Sequence, residues 1–132
     1  MTVPAPGAAV PELHVDITRA DLVRYAGAAD DYVRQHWDHP FMIENGFPDV
    51  AVHGWLTFAH MSRAVTDWLV PARWTIASYS VRYVRPTYPG VLICGGEVVQ
   101  SDDSSVKLAL WSRDSEGATT TKATMTLNLL HG

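Results

Sequence analysis

The strongest hydrophobic pattern in the chain lies between Gly54 and Leu69. Apolar residues fall at Trp55, Leu56, Phe58, Ala59, Met61, Ala64, Val65, Trp68 and Leu69, and no Gly or Pro interrupts the run after its first residue. Arg63 and Asp67 are its only charged positions and share one face. The pattern predicts a helix apolar around most of its circumference, hence one wrapped by other structure, and ended by Pro71. Beyond Pro71 the period changes to two. In residues 78–82 polar positions alternate with Tyr79 and Val81, and Tyr83 continues the apolar row. In residues 122–129, Ala123, Met125, Leu127 and Leu129 alternate with Lys122, Thr124, Thr126 and Asn128. Both runs predict strands with one buried face, whereas residues 107–111 are apolar on both faces. Turn signals at 86–90, 101–105 and 114–117 separate the runs. About four antiparallel strands therefore follow the long helix, with one more at 13–17. Upstream, Thr18-Arg19-Ala20-Asp21 reads as a capping box opening a helix through Leu22, Val23, Tyr25 and Ala26, with Gly27 at its end. Residues 28–38 are polar and unperiodic and read as a loop. A short helix over 39–45 is stopped by Gly46 and Pro48. The fold class is α+β, a strongly curved antiparallel sheet around one long helix. A doubly wound fold needs helices between strands, and the pattern offers none.

A length of 132 residues holds one domain with a real core. Residues 1–12, with Pro4, Pro6 and Pro11, read as a flexible arm, and residues 13–132 as the domain. Ten basic against fourteen acidic residues give a formal net charge of −4, which argues against a nucleic-acid partner. No apolar run is long enough to cross a membrane. Residues 1–11 lack the positive start and apolar stretch of a secretory signal, so a cytoplasmic location is expected. The single cysteine, Cys94, excludes an internal disulfide framework and a Cys-based zinc site.

The six histidines are His14, His36, His39, His53, His60 and His131. Asp31 and His36 stand in the loop before the long helix, a carboxylate and an imidazole of the kind that moves protons near neutral pH. Spacing alone does not separate that reading from a wet loop rich in Asp and His. A metal reading would use His36, Asp38 and His39, with His53 or His60 as a further imidazole, but no HExxH or CxxC pattern supports it. His53-Gly54 opens the long helix, whose first N–H groups have no helical partner. Gly54 would let a ligand oxygen approach the backbone, or it serves only tight packing; the sequence leaves both open.

These residues resemble a known family. Tyr25-Ala26-Gly27-Ala28 followed by Asp31, His36, Trp37 and Asp38 is similar to the hydratase motif of MaoC-like (R)-specific enoyl-CoA hydratases. Phe47-Pro48-Asp49-Val50-Ala51-Val52-His53-Gly54-Trp55-Leu56-Thr57 resembles the family's second signature, and Arg85-Pro86-Thr87-Tyr88-Pro89-Gly90 with Gly96-Glu97-Val98 its strand-turn segment. The tract 63–68 resembles the small subunits of actinobacterial heteromeric hydratases acting on steroid side-chain CoA esters. The resemblance implies a hotdog fold and reversible addition of water to a trans-2-enoyl thioester of CoA or acyl carrier protein. It implies Asp31 as general base, His36 as the residue that holds the water and relays a proton, and the Gly54 N–H as enolate donor. His53, Trp55, Val33 and Arg85 are the substrate-binding candidates, Arg85 together with Arg82, Lys107 and Arg113 as possible phosphate contacts or ordinary solvated charges. No cofactor and no metal are implied. A single hotdog sheet leaves open edges, so a homodimer or a heterodimer with a related chain is expected. The family's Gly-Asp-x-Asn-Pro-x-His reads here Asp30-Asp31-Tyr32-Val33-Arg34-Gln35-His36. The departures keep two alternatives in view, a hotdog acyl thioesterase and a catalytically weak structural subunit of a heteromeric hydratase.

Overall fold

The chain is seen in a computed structural model that describes residues 2–130; His131 lies outside them. Five strands form one antiparallel sheet: β1 (Ala9–Ile17), β2 (Trp74–Tyr83), β3 (Gly90–Ser101), β4 (Ser105–Arg113) and β5 (Thr119–Leu129). Their order is β1-β3-β4-β5-β2, so β1 and β2 are the edges. Three helices precede β2: α1 (Arg19–Ala29), α2 (His39–Glu44) and α3 (Gly54–Leu69). This is the α+β hotdog arrangement expected from the sequence. No described helix is long and apolar enough to cross a membrane.

The long helix forms where its pattern places it. Phe58, Met61, Ala64, Val65 and Leu69 make the buried stripe of α3. They pack with Leu92 and Val98 of β3, Leu108 and Leu110 of β4, and Met125 and Leu127 of β5 in one core cluster. The wrapping is incomplete, because Trp55 is 56% exposed. Beside it stands the aromatic row of β2, where the sequence predicts a buried face. Tyr79 and Tyr83 are 53% and 47% exposed instead, because β2 is an edge strand that α3 covers only in part.

Two boundaries differ from the sequence reading. The first strand begins at Ala9, not Leu13, and shifts register between Val10 and Leu13, around Pro11, which has no N–H to give the ladder. The Gly7 N–H donates to Val98 O at 2.8 Å, so the chain joins the sheet well before the end of the expected arm. The first helix passes through Gly27 and ends after Ala29. Its left-handed terminal residue is Asp30 at φ 53°. Asp30 and Asp31 N–H groups both reach Ala26 O, closing the last turn. Gly27 has no positive φ, and the alanines after it sustain the helix.

Candidate active site

The segment expected to be an unstructured loop contains a 3₁₀ turn, Arg34–His36, that sets the site. The side chain of Asp31, released by the left-handed Asp30, accepts the Val33 N–H at 3.3 Å, turning the chain sharply. Arg34 pairs with Asp38 at 2.8 Å and lies 4.2 Å over the Phe41 ring. Asp38 in turn accepts the Phe41 N–H as the cap of α2. Those two bonds, the Arg34 one foremost, hold its carboxyl below the usual range. The Ala51 N–H donates to Gln35 O at 2.8 Å, and His36 Nδ1 donates to Ala51 O at 2.7 Å. Arg34 and these Ala51 bonds anchor the loop where the family's Asn and Pro are absent.

That anchoring determines the chemistry. Only an N–H can serve the Ala51 carbonyl, so the neutral His36 ring carries its lone pair on Nε2. This nitrogen accepts from the Gln35 side-chain amide at 3.4 Å and lies 3.7 Å from Asp31 Oδ2. The separation is too long for a direct hydrogen bond and right for one water donating to both atoms. Asp31, His36 and Gly54 all line a cavity of about 760 Å³. Gly54 is the first residue of α3, whose cap residue His53 makes no side-chain cap bond. The first helical N–H with a partner in the turn is that of Thr57, to His53 O at 3.1 Å, so an uncapped helix start with its positive dipole end faces the cavity. Of the two readings of Gly54, tight packing is directly visible: a Cβ there would stand 2.7 Å from the Tyr83 ring. Tyr83 itself lines the cavity, and burial, with Tyr25 and Tyr79 adding to it, raises its phenol above the ordinary value.

The remaining expectations divide. Trp55 and Arg85 line the cavity. Val33 does not; it is 57% exposed on the turn that Asp31 closes. His53 does not line it either. It is 2% exposed and stacks on His36, ring centres 3.7 Å apart and planes 15° apart, with the Tyr25 ring tilted against it at 4.7 Å. Its Nε2 lies 3.3 Å from the Asp31 carbonyl, and burial lowers its pKa below the ordinary value. Arg113 is committed to the Trp111 face at 3.8 Å. Cavity walls that the sequence reading passed over include Phe41 and Met42 of α2, Gln35, and the buried Thr57, Thr87 and Thr121. The apolar residues of the short α2 were the signal for the first two; Thr57 and Thr87 stand within the quoted motifs without a role assigned, and nothing in the sequence marked Thr121.

Asp31, His36 and His53 offer nitrogen or oxygen atoms all within 4.8 Å of one another, a spacing that invites a metal. The stacked rings oppose it. Imidazole lone pairs lie in the ring plane, so near-parallel rings cannot both converge on one ion at about 2.0–2.1 Å. Asp38 is taken up by Arg34 and Phe41, and His60 lines a separate cleft with Asp21 and Arg24.

A hotdog sheet with an acid–imidazole pair above the free start of its long helix defines a class of α+β domain. Residues 2–124 match the MaoC like domain, and the chain belongs to that dehydratase family. A chain of the ChsH1-ChsH2 complex from Mycobacterium tuberculosis is similar at TM-score 0.85 and 28% identity, over 98% of this chain and 100% of that one. The R-hydratase PhaJ1 from Pseudomonas aeruginosa is similar at TM-score 0.87 and 21% identity, over 97% and 83%. A chain of the 3R-hydroxyacyl-ACP dehydratase complex HadBC from Mycobacterium tuberculosis is similar at TM-score 0.77 and 13% identity, over 96% and 99%. No curated protein matches the sequence.

Proposed function

We propose that the protein is a hydratase/dehydratase that adds water reversibly to a trans-2-enoyl thioester, giving a 3-hydroxyacyl thioester. The observation that carries this reading is the 3.7 Å gap between Asp31 Oδ2 and His36 Nε2 at the wall of the cavity. A water donating one O–H to each atom keeps its lone pairs for C3 of the substrate. Asp31 takes the water proton as the C3–O bond forms. The C2–C3 π pair moves onto the thioester oxygen, which the Gly54 N–H and the helix dipole stabilise. The proton then returns to C2 through the Asp31–His36 pair, so the atoms of one water end on C3 and C2. Arg85 at the cavity wall is suited to a phosphate of the CoA or acyl-carrier arm. A thioesterase would need its water aimed at C1. Hydration is favoured because one cavity is lined both by the acid–imidazole pair, which suits the water, and by an uncapped helix start, which suits the carbonyl oxygen.

The partner belongs to the same proposal. An open edge strand beside exposed Trp55, Tyr79 and Tyr83 suits a second hotdog chain, identical or related. The relatives described as complexes support that choice. The direct test follows loss of enoyl absorbance and release of free thiol side by side on a panel of enoyl-CoA esters. Enoyl loss without thiol release is the expected outcome; thiol release alone turns the assignment to thioester hydrolysis.

A further inference from the structure

Among the described residues, two buried side-chain polar atoms lack a hydrogen-bond partner, Nδ1 of His53 and Oγ1 of Thr57. They belong to the cap and the first turn of α3, which are joined by the Thr57 N–H donating to His53 O at 3.1 Å. Helical side chains lean toward the helix start, the end that His53 caps. The two atoms are also complementary. His53 Nε2 faces the Asp31 carbonyl at 3.3 Å, which only an N–H can serve, so Nδ1 holds a lone pair and needs a donor. The usual acceptor for a helical threonine hydroxyl, the carbonyl four residues back, is that of His53; it takes the Thr57 N–H at 3.1 Å, but the hydroxyl makes no bond to it. Buried polar atoms are nearly always paired with protein or with ordered water.

We infer that Thr57 is a positioning residue, its hydroxyl donating to His53 Nδ1 through one buried water. That donation fixes the His53 tautomer with its proton on Nε2. The Nε2–H holds the Asp31 backbone, and the ring backs His36 at 3.7 Å. One hydroxyl thus sets the relative placement of the two groups that share the water. Thr57 and His53 are each only 1–2% exposed, and although Thr57 lines the cavity, its hydroxyl oxygen is buried.

The kinetic part of the test rests on the hydration reading; the spectroscopic part does not. Long-range ¹H–¹⁵N spectra of the full chain report the His53 tautomer in the wild type, Thr57→Val and Thr57→Ser. The wild type should carry the proton on Nε2 with a hydrogen-bonded Nδ1. In Thr57→Val the Nδ1 resonance should move to that of an unbonded nitrogen, and kcat for enoyl-CoA hydration should fall about tenfold or more with KM unchanged, since small misplacements of reacting groups cost that much. Thr57→Ser should restore both. An Nδ1-protonated His53 in the wild type overturns the inference, and that spectrum decides even if the valine variant fails to fold. So does an unmoved resonance in Thr57→Val, or a moved resonance with wild-type kcat. Should the wild type hydrate no enoyl thioester, the hydration reading falls, and the spectra alone decide whether Thr57 donates to His53.

Discussion

Asp30 and Asp31 are neighbours with the same side chain and opposite duties. Asp30 occupies the left-handed position that ends α1, at φ 53°, where the family pattern has Gly. Asp and Asn tolerate that conformation better than other non-Gly residues. Asp30→Asn should therefore leave turnover within about twofold, and Asp30→Gly should stabilise the fold by about 0.5–1 kcal/mol in chemical denaturation, the size of a relieved left-handed strain. Asp31→Asn keeps the shape but cannot take a proton, and His36→Ala removes the second anchor of the water. Each should lower kcat by about 10²-fold or more, and the double variant should lose little beyond either single one, as the proposal that both act on one water requires. Loss in Asp30→Asn but not in Asp31→Asn would put the site one residue out of register. The imidazole behind the pair gives a pH signature. Burial holds the folded pKa of His53 below its ordinary 6.5, so the unfolded chain binds the extra proton first. Its contribution to stability is complete above 6.5 and falls as the pH drops from there toward the folded value. Thermal melts should decline over that window, and His53→Gln should flatten the decline. Cys94, fully buried and with its thiol pushed up to about 12, should resist thiol reagents in the native protein and react on unfolding.

At the scale of elements, legibility followed periodicity. α3 emerged with its bounds because a sixteen-residue apolar pattern outweighs any local competitor, and its core role predicts that Met61→Ala costs about 2–5 kcal/mol in denaturant unfolding. β5 was legible by its period of two, whereas β3 was marked only by the turn signals on either side of it. The end of α1 was not: Gly27 carries the usual stop signal, yet the stop is made by a left-handed Asp30, which a sequence marks only weakly. The 3₁₀ turn at Arg34–His36 was invisible because it is held from outside, by Asp38, Phe41 and Ala51, rather than by its own pattern. That explains how Asp31, His36, Gly54, Trp55 and Arg85 were named from the sequence while other walls of the cavity were not. The threonine walls and the stacking of His53 on His36 depend on distant segments meeting. Val33 looked like part of the pocket because its neighbours are, but the turn that Asp31 closes leaves it on the surface. At the start of α3, Gly54→Ala drives a Cβ to within 2.7 Å of the Tyr83 ring, so that variant should lose activity through a displaced Tyr83. Combining it with Tyr83→Ala should recover stability measured by melting.

At the scale of the molecule, β2 presents an unpaired edge and, with α3, an aromatic face built on Trp55, Phe58 and Tyr79, the last two with ring centres 4.9 Å apart. The sequence predicted a buried row there, and the single chain buries only part of it. An assembly with a second hotdog chain reconciles the two. Sedimentation should find the chain dimeric, or dimeric once a related chain is supplied, and Tyr79→Glu should shift it to monomer without unfolding it. A stable wild-type monomer that turns over substrate would contradict that assembly. The cavity, the loop and the helix start meet in one claim, that Asp31 and His36 share a water aimed at C3 of an enoyl thioester. The most direct measurement is the rate of enoyl absorbance loss on a medium-chain trans-2-enoyl-CoA, wild type against Asp31→Asn, with the assembled protein. The account predicts hydration by the wild type and a loss of about 10²-fold or more in the variant. Equal rates in the two proteins, or free thiol appearing while the enoyl absorbance persists, would contradict it.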